Sequence, residues 1–304
     1  MSSSGVLDRI QALRRERGAL ILAHCYQPAG IQDIADRVGD SLDLSRAAAS
    51  SPEPVIVFCG VRFMAETAHI LAPGKTVLLP DPTAGCPLAD SLDMGALRAL
   101  QEMAGPSSLT VMYVNSPAEA KAASYACCTS ANALQVVERA PSNRVVFAPD
   151  RNLGEFVSRS LEGRKELLIY QGCCTTHANA DLDDLLSSKR DWPDAEVLVH
   201  PETPPAFWEN ADFVLGTGGM VRRIRESAAG RFLIGTERGM IHRLETLYPE
   251  RSFRVVGSIF CPNMKKVTLE AIERSLATLS PAITLPAELR ERALRAVRRM
   301  AETG

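Results

Sequence analysis

Short apolar runs alternate along this chain with stretches whose apolar residues recur every three or four positions. Runs bounded by turn residues predict strands, and the helical period between them predicts amphipathic helices. Strand-like runs at 19–26, 109–115 and 195–200 carry polar ends, His24, Tyr113 and His200, spaced by 89 and 87 residues. A short helical piece follows each run and leads to a hydroxyl at a predicted helix start. These hydroxyls are Ser41, Ser130 and Thr217, again 89 and 87 apart. A second strand in each set ends near an arginine, Arg62, Arg151 or Arg238, at the same steps. The third runs, VLLP at 77–80, LLIYQ at 167–171 and RVVGSIF at 254–260, each lead to a cysteine. These cysteines, Cys86, Cys174 and Cys261, stand 88 and 87 residues apart.

Four landmarks that keep one period through three copies define an internal repeat. Strands alternating with helical segments predict an α/β fold of three homologous three-layer αβα sandwich domains with parallel sheets. Their expected bounds are 15–105, 106–190 and 191–285. A helix over 1–14, with Val6, Ile10 and Leu13 on one face, precedes the first domain. A second helix, over 286–304, follows the third. Open α/β sheets bind ligands at the carboxyl ends of their strands. A pseudo-threefold arrangement would therefore gather the landmarks around one central active site.

Charge and cysteine usage narrow the function. The net charge of −2 over 304 residues argues against a nucleic-acid partner. No apolar stretch is long enough to span a bilayer, so no membrane partner is expected. Eight cysteines without a secretory signal point to a reducing compartment, the cytoplasm, where thiols stay free or bind metal. No pair has CxxC spacing, so a metal site has to be assembled from distant parts of the chain.

A buried free cysteine is ordinarily a small apolar residue, and Cys25, Cys59 and Cys127 fit that description. Cys86, Cys174 and Cys261 differ because they keep the repeat phase in polar, turn-rich contexts. Three thiolates leave an open position on a metal centre, as catalysis requires. Zinc and iron–sulfur clusters both suit such ligands, and His177 stands ready as a fourth zinc ligand. Ser41, Ser130 and Thr217 are expected as helix N-caps, and three such helix starts would also favour an anionic substrate. His24 and His200, beside Tyr26 and Glu202, supply candidate general acids and bases.

Across nearly the whole chain these residues resemble the quinolinate synthases of NAD biosynthesis. The resemblance rests on LAHCYQ, GDSLDLS, FMAETAHILAPGKTVLLPDPTAGCPLAD, VMYVNS, CTSANA, FAPDRNLG, GCCTTH, HPE, FLIGTERG and CPNMKK, in that order. It implies three α/β domains around a pseudo-threefold axis and a [4Fe–4S] cluster with three cysteine ligands and one open iron. The ligands would be Cys86, Cys174 and Cys261, with Cys174 preferred over Cys173 by the pattern Gly172, Cys174, His177. Substrate contacts would fall on His24, Tyr26, Ser41, Tyr113, Asn115, Ser130, His200, Glu202 and Thr217. The implied reaction condenses iminoaspartate with dihydroxyacetone phosphate to quinolinate, phosphate and water, the cluster acting as a Lewis acid. Glu202 would be the general base, with Tyr26, His24 and His200 moving protons. The resemblance also implies a functional link to L-aspartate oxidase or aspartate dehydrogenase as the source of iminoaspartate. This chain departs from the family pattern at Cys25, where a tyrosine is usual, and at Gly216, where a serine is usual. Met264 stands where some relatives carry a second cysteine. Two other readings compete: a different cluster-dependent hydro-lyase acting on a small dicarboxylic acid, and a non-catalytic iron–sulfur sensor or carrier.

Overall fold

The computed structural model describes residues 3–303. It contains three four-stranded, all-parallel sheets built to one plan. The first comprises β1 (Ala19–His24), β2 (Arg37–Gly39), β3 (Val55–Cys59) and β4 (Thr76–Leu78), in the order β2-β1-β3-β4. The second comprises β5 (Leu109–Tyr113), β6 (Ala126–Cys128), β7 (Arg144–Ala148) and β8 (Glu166–Ile169), in the order β6-β5-β7-β8. The third comprises β9 (Glu196–Val199), β10 (Phe213–Val214), β11 (Arg231–Gly235) and β12 (Ser252–Val255), in the order β10-β9-β11-β12.

Central strands such as β3, VIVFC, are buried at every position, as a sheet covered by helices on both faces requires. The expected αβα plan is thus present, with one addition. Each sheet has a fourth strand, β2, β6 or β10, between the short helical piece and the hydroxyl. At two or three residues these edges are too short to show an alternating pattern, and hydrogen bonding to β1, β5 or β9 defines them. Lys75, Lys165 and Arg251 hydrogen-bond carbonyls at the ends of helices Ser41–Ser50, Ala133–Arg139 and Thr217–Glu226 in their respective units. A cation there also opposes the negative end of the helix dipole.

The segment after the third sheet returns to the first. Helix Leu269–Thr278 packs on helix Ser3–Arg17 and β3, closing a core of Val6, Ile10, Ile272 and Leu276. Residues 281–283 then hydrogen-bond along β4, where Leu79 donates to Pro281 and Ile283 donates to Val77. The final helix, Ala287–Glu302, lies on β6, helix Ala118–Ala122 and helix Arg62–Leu71. It buries Ala293, Ala296, Val297 and Met300, of which the two alanines leave room for a neighbouring helix to approach. Sequence order placed 269–285 with the third repeat, whereas its apolar face is covered by the first. Among the described residues, no helix is long and apolar enough to cross a membrane.

Candidate active site

The carboxyl ends of the strands surround a cavity of about 790 Å³ counting its open mouth. The nine expected substrate contacts and the three phased cysteines all line it, whereas the phased arginines do not. The ends of β1, β5 and β9 supply three pairs at one repeat position: His24 and Tyr26, Tyr113 and Asn115, His200 and Glu202. The second member of each pair lies in the turn just past its strand, and both members of every pair face the cavity. Cys25, at the alternate position, points away and is buried.

The histidines adopt one arrangement. The amide of Tyr26 donates to Nδ1 of His24 at 3.2 Å, and the amide of Glu202 donates to Nδ1 of His200 at 3.3 Å. Each ring is therefore assigned the Nε2–H form, and His200 directs that proton to Ser130 Oγ at 3.0 Å. Burial, followed by the charges of His200 and Lys265, lowers the pKa of His24 to about 3. Burial likewise lowers that of His200 to about 3. Both rings are neutral near pH 7.

Glu202 is the charged group at the centre. Burial works to raise its pKa, but His177, His200 and the Tyr113 hydroxyl hold it well below the usual carboxylate range. Its Oε2 lies 2.8 Å from His177 Nδ1, and Asn115 Nδ2 approaches Oε1 at 3.4 Å. A carboxylate only accepts, so His177 donates from Nδ1, and in the tautomer assigned to it its Nε2 accepts from Thr236 Oγ1 at 3.0 Å. Thr236 in turn lies 2.6 Å from the Tyr26 hydroxyl. Tyr26, Thr236, His177 and Glu202 thus form one directed chain of hydrogen bonds. Thr236 lies in FLIGTERG with no role there that the sequence assigns, and the sequence points to His177 only as a metal ligand.

The three hydroxyls are not helix caps. Asp40 caps helix Ser41–Ser50 by accepting from Leu42 and Asp43, and Ser41 is the first residue inside. Ser130 lies three residues ahead of helix Ala133–Arg139, whose N-cap position is Asn132. Helix Thr217–Glu226 begins after Gly216 without any side-chain cap. This leaves the Thr217 hydroxyl and the first amides of that helix without capping duty. The chain runs close at Gly216, where a Cβ would sit 2.7 Å from Ser130 Oγ. A Cβ on Gly218 would sit 2.6 Å from Asp40 Oδ2. The start of the third unit's helix is therefore wedged between its counterparts in the other two.

The phased arginines hold the cysteine loops through their backbones. The amides of Arg62, Arg151 and Arg238 donate to Ala84, Gly172 and Ile259, each two residues before a phased cysteine. Cys86, Cys174 and Cys261 face the cavity, whereas Cys173 is not among its lining residues. Burial pushes the Cys86 thiol up to about 12 and raises those of Cys174 and Cys261. A bound cation reverses that preference. Three soft sulfur donors from three units, ringed by Val61, Met64, Leu88 and Met264, suit a thiolate-ligated metal centre. Cys174, His177 and Glu202 also bring donor atoms within 4.8 Å of one another.

Comparison with known proteins agrees with this geometry. The family model described as quinolinate synthetase A protein matches residues 8–302. A quinolinate synthase of Thermodesulfovibrio yellowstonii is 46% identical over 295 residues, covering 97% of each chain. One from Desulforudis audaxviator is 45% identical over 300 residues, covering 98% of each chain. One from Methanosarcina barkeri is 43% identical over 301 residues, covering 99% of this chain and 98% of its own. With that match running almost from end to end, the chain belongs to the quinolinate synthetase A protein family.

Proposed function

We propose that this protein condenses iminoaspartate with dihydroxyacetone phosphate to give quinolinate, phosphate and two waters. The observation that carries this reading is the convergence of thiols, proton-transfer groups and hydroxyls from three units on one cavity. Cys86, Cys174 and Cys261 would hold a [4Fe–4S] cluster with one iron left open. Such a cluster supplies Lewis acidity toward a substrate oxygen without net electron transfer.

The chain's own residues bind anions and move protons. The uncapped start of helix Thr217–Glu226 and the hydroxyls of Ser41, Ser130 and Thr217 receive phosphate and carboxylate oxygens. Neutral His24 and His200 donate from Nε2 to developing oxygen charge and avoid locking the anions in place. The Tyr26 hydroxyl, whose pKa burial raises well above its usual value, delivers a proton to a leaving oxygen. Thr236 and His177 tie the Tyr26 hydroxyl to Glu202 and hold it in place, and Glu202 takes up protons removed from substrate carbon. Asn115 and Tyr113 keep the Glu202 carboxylate aimed into the cavity.

The Cys174, His177 and Glu202 trio favours zinc as a second reading of the site. Against it, both ring nitrogens of His177 are already engaged, and zinc ligation would break the Tyr26 chain. The test is direct: protein purified and reconstituted without oxygen is assayed for iron, zinc and quinolinate formation from both substrates. Iron with quinolinate is the expected result. Stoichiometric zinc and no quinolinate would remove the proposal. Consumption of a dicarboxylic acid without need for the triose phosphate would favour the hydro-lyase reading.

A further inference from the structure

Two buried carboxylates hold the cysteine loops of the second and third units and have no counterpart in the first; Glu237 also lines the cavity. Asp150 follows β7 and is fully buried. Its Oδ1 accepts the amide of Leu153 at 2.8 Å, and its Oδ2 accepts the amide of Cys174 at 2.9 Å. Glu237 follows β11 and is also fully buried. Its Oε2 accepts from Gly239 at 2.7 Å and Lys265 Nζ at 2.9 Å, and its Oε1 accepts the amide of Cys261 at 3.3 Å. The two acids are 87 residues apart, the same step that separates their cysteines. Each bridges a chain segment just past one strand and the thiol-bearing loop past the next.

The corresponding position in the first unit is Val61, which cannot accept a hydrogen bond. There the Cys86 amide turns to Asp90 Oδ2 at 3.1 Å, an exposed carboxylate of its own loop. The backbone tie from Arg62, Arg151 or Arg238 is present in all three units, so the fold itself does not require an acid here. A buried carboxylate costs several kcal/mol unless its oxygens are satisfied, and one beside a thiolate adds like-charge repulsion. An acid that the first unit does without, placed where it is least favourable, must offset that cost through what it holds.

We propose that Asp150 and Glu237 are positioning residues that fix Cys174 and Cys261 for metal binding. The proposal rests on the reading of these cysteines as cluster ligands. Each carboxylate uses both oxygens, one on each segment, so the loop cannot swing its thiol out of register. The Cys86 loop, tied to an exposed side chain, is the compliant one of the three.

Asp150→Asn tests this, because an amide has only one acceptor oxygen for two buried N–H donors. Iron release from the anaerobically loaded protein to a chelator should quicken by about 10–100-fold, the range for lost partners behind a metal ligand. The gain in melting temperature on loading apo-protein with cluster should shrink. A purely structural role would lower both melting temperatures equally and leave that gain intact. Glu237→Gln repeats the test for Cys261, and decides it alone if Asp150→Asn does not fold. Asp90→Asn should change iron release less than either. Release rates and loading gains equal to those of the parent in the Asp150 and Glu237 variants overturn the proposal. A parent protein that retains no iron removes the ligand reading itself, and this proposal with it.

Discussion

The hydroxyls of Tyr26 and Thr236 lie 2.6 Å apart although 210 residues separate them in the chain. Tyr26 follows the first strand of the first unit, and Thr236 follows the second central strand of the third. Their contact links the phenol to His177 and so to Glu202, and it exists only because the units face each other. Thr236→Val keeps the side-chain shape and removes the link. Turnover should fall by about two orders of magnitude or more, as for lost proton transfer, with KM changed little. Parent-like kcat would show that Tyr26 works without this chain.

Glu202→Gln preserves shape and cannot accept a proton. Turnover should fall by about two to four orders of magnitude, while the visible absorption of the iron centre survives because no proposed ligand is altered. Near-normal quinolinate formation would take Glu202 out of the mechanism.

Replacing Cys86, Cys174 or Cys261 by serine should each abolish iron retention, whereas Cys173→Ser should leave it largely intact. The reason is placement: the first three face the cavity, and Cys173 does not line it. Iron analysis after anaerobic reconstitution checks this. Loss of iron in Cys173→Ser but not in Cys174→Ser would reverse that assignment.

Thr217→Ala removes one hydroxyl donor to a charged ligand, worth roughly 1.5–3 kcal/mol. The corresponding fall in kcat/KM is about tenfold to more than a hundredfold. Thr217 is not the cap of its helix, so the melting temperature should move little. A destabilised variant with unchanged kcat/KM for both substrates would return Thr217 to a structural role.

His24 is held neutral by burial, with a folded pKa of about 3 against an unfolded value near 6.5. The unfolded chain therefore binds the extra proton in that window, and stability rises with pH across it. The contribution is complete above the unfolded pKa and is lost as pH falls below it. The melting temperature of the metal-free protein should drop between about pH 7 and pH 5, and His24→Asn should flatten that slope. Parallel pH profiles for the two proteins would contradict the buried neutral ring.

Much of the site is legible in the chain because it recurs. Strand ends, hydroxyls, arginines and cysteines share one period, and residues at equivalent points of like units meet when those units face one centre. The i, i+2 pairs recur at the end of the corresponding strand in each unit, which groups His24 with Tyr26 and His200 with Glu202 in the chain itself. Local chemistry is less legible where several residues can do one job. Asp40 caps its helix in preference to Ser41 because its carboxylate reaches two amides at once. The edge strands β2, β6 and β10 are defined by their neighbours and have too few residues to announce themselves. The link from Tyr26 to His177 and the partners of the Cys174 and Cys261 amides were beyond sequence reasoning, since Thr236, Asp150 and Glu237 act through contacts with other strands, loops or units. Repetition along the chain determined which positions converge; hydrogen-bond direction and burial, which arise only when the units pack, decided what each converging group can do.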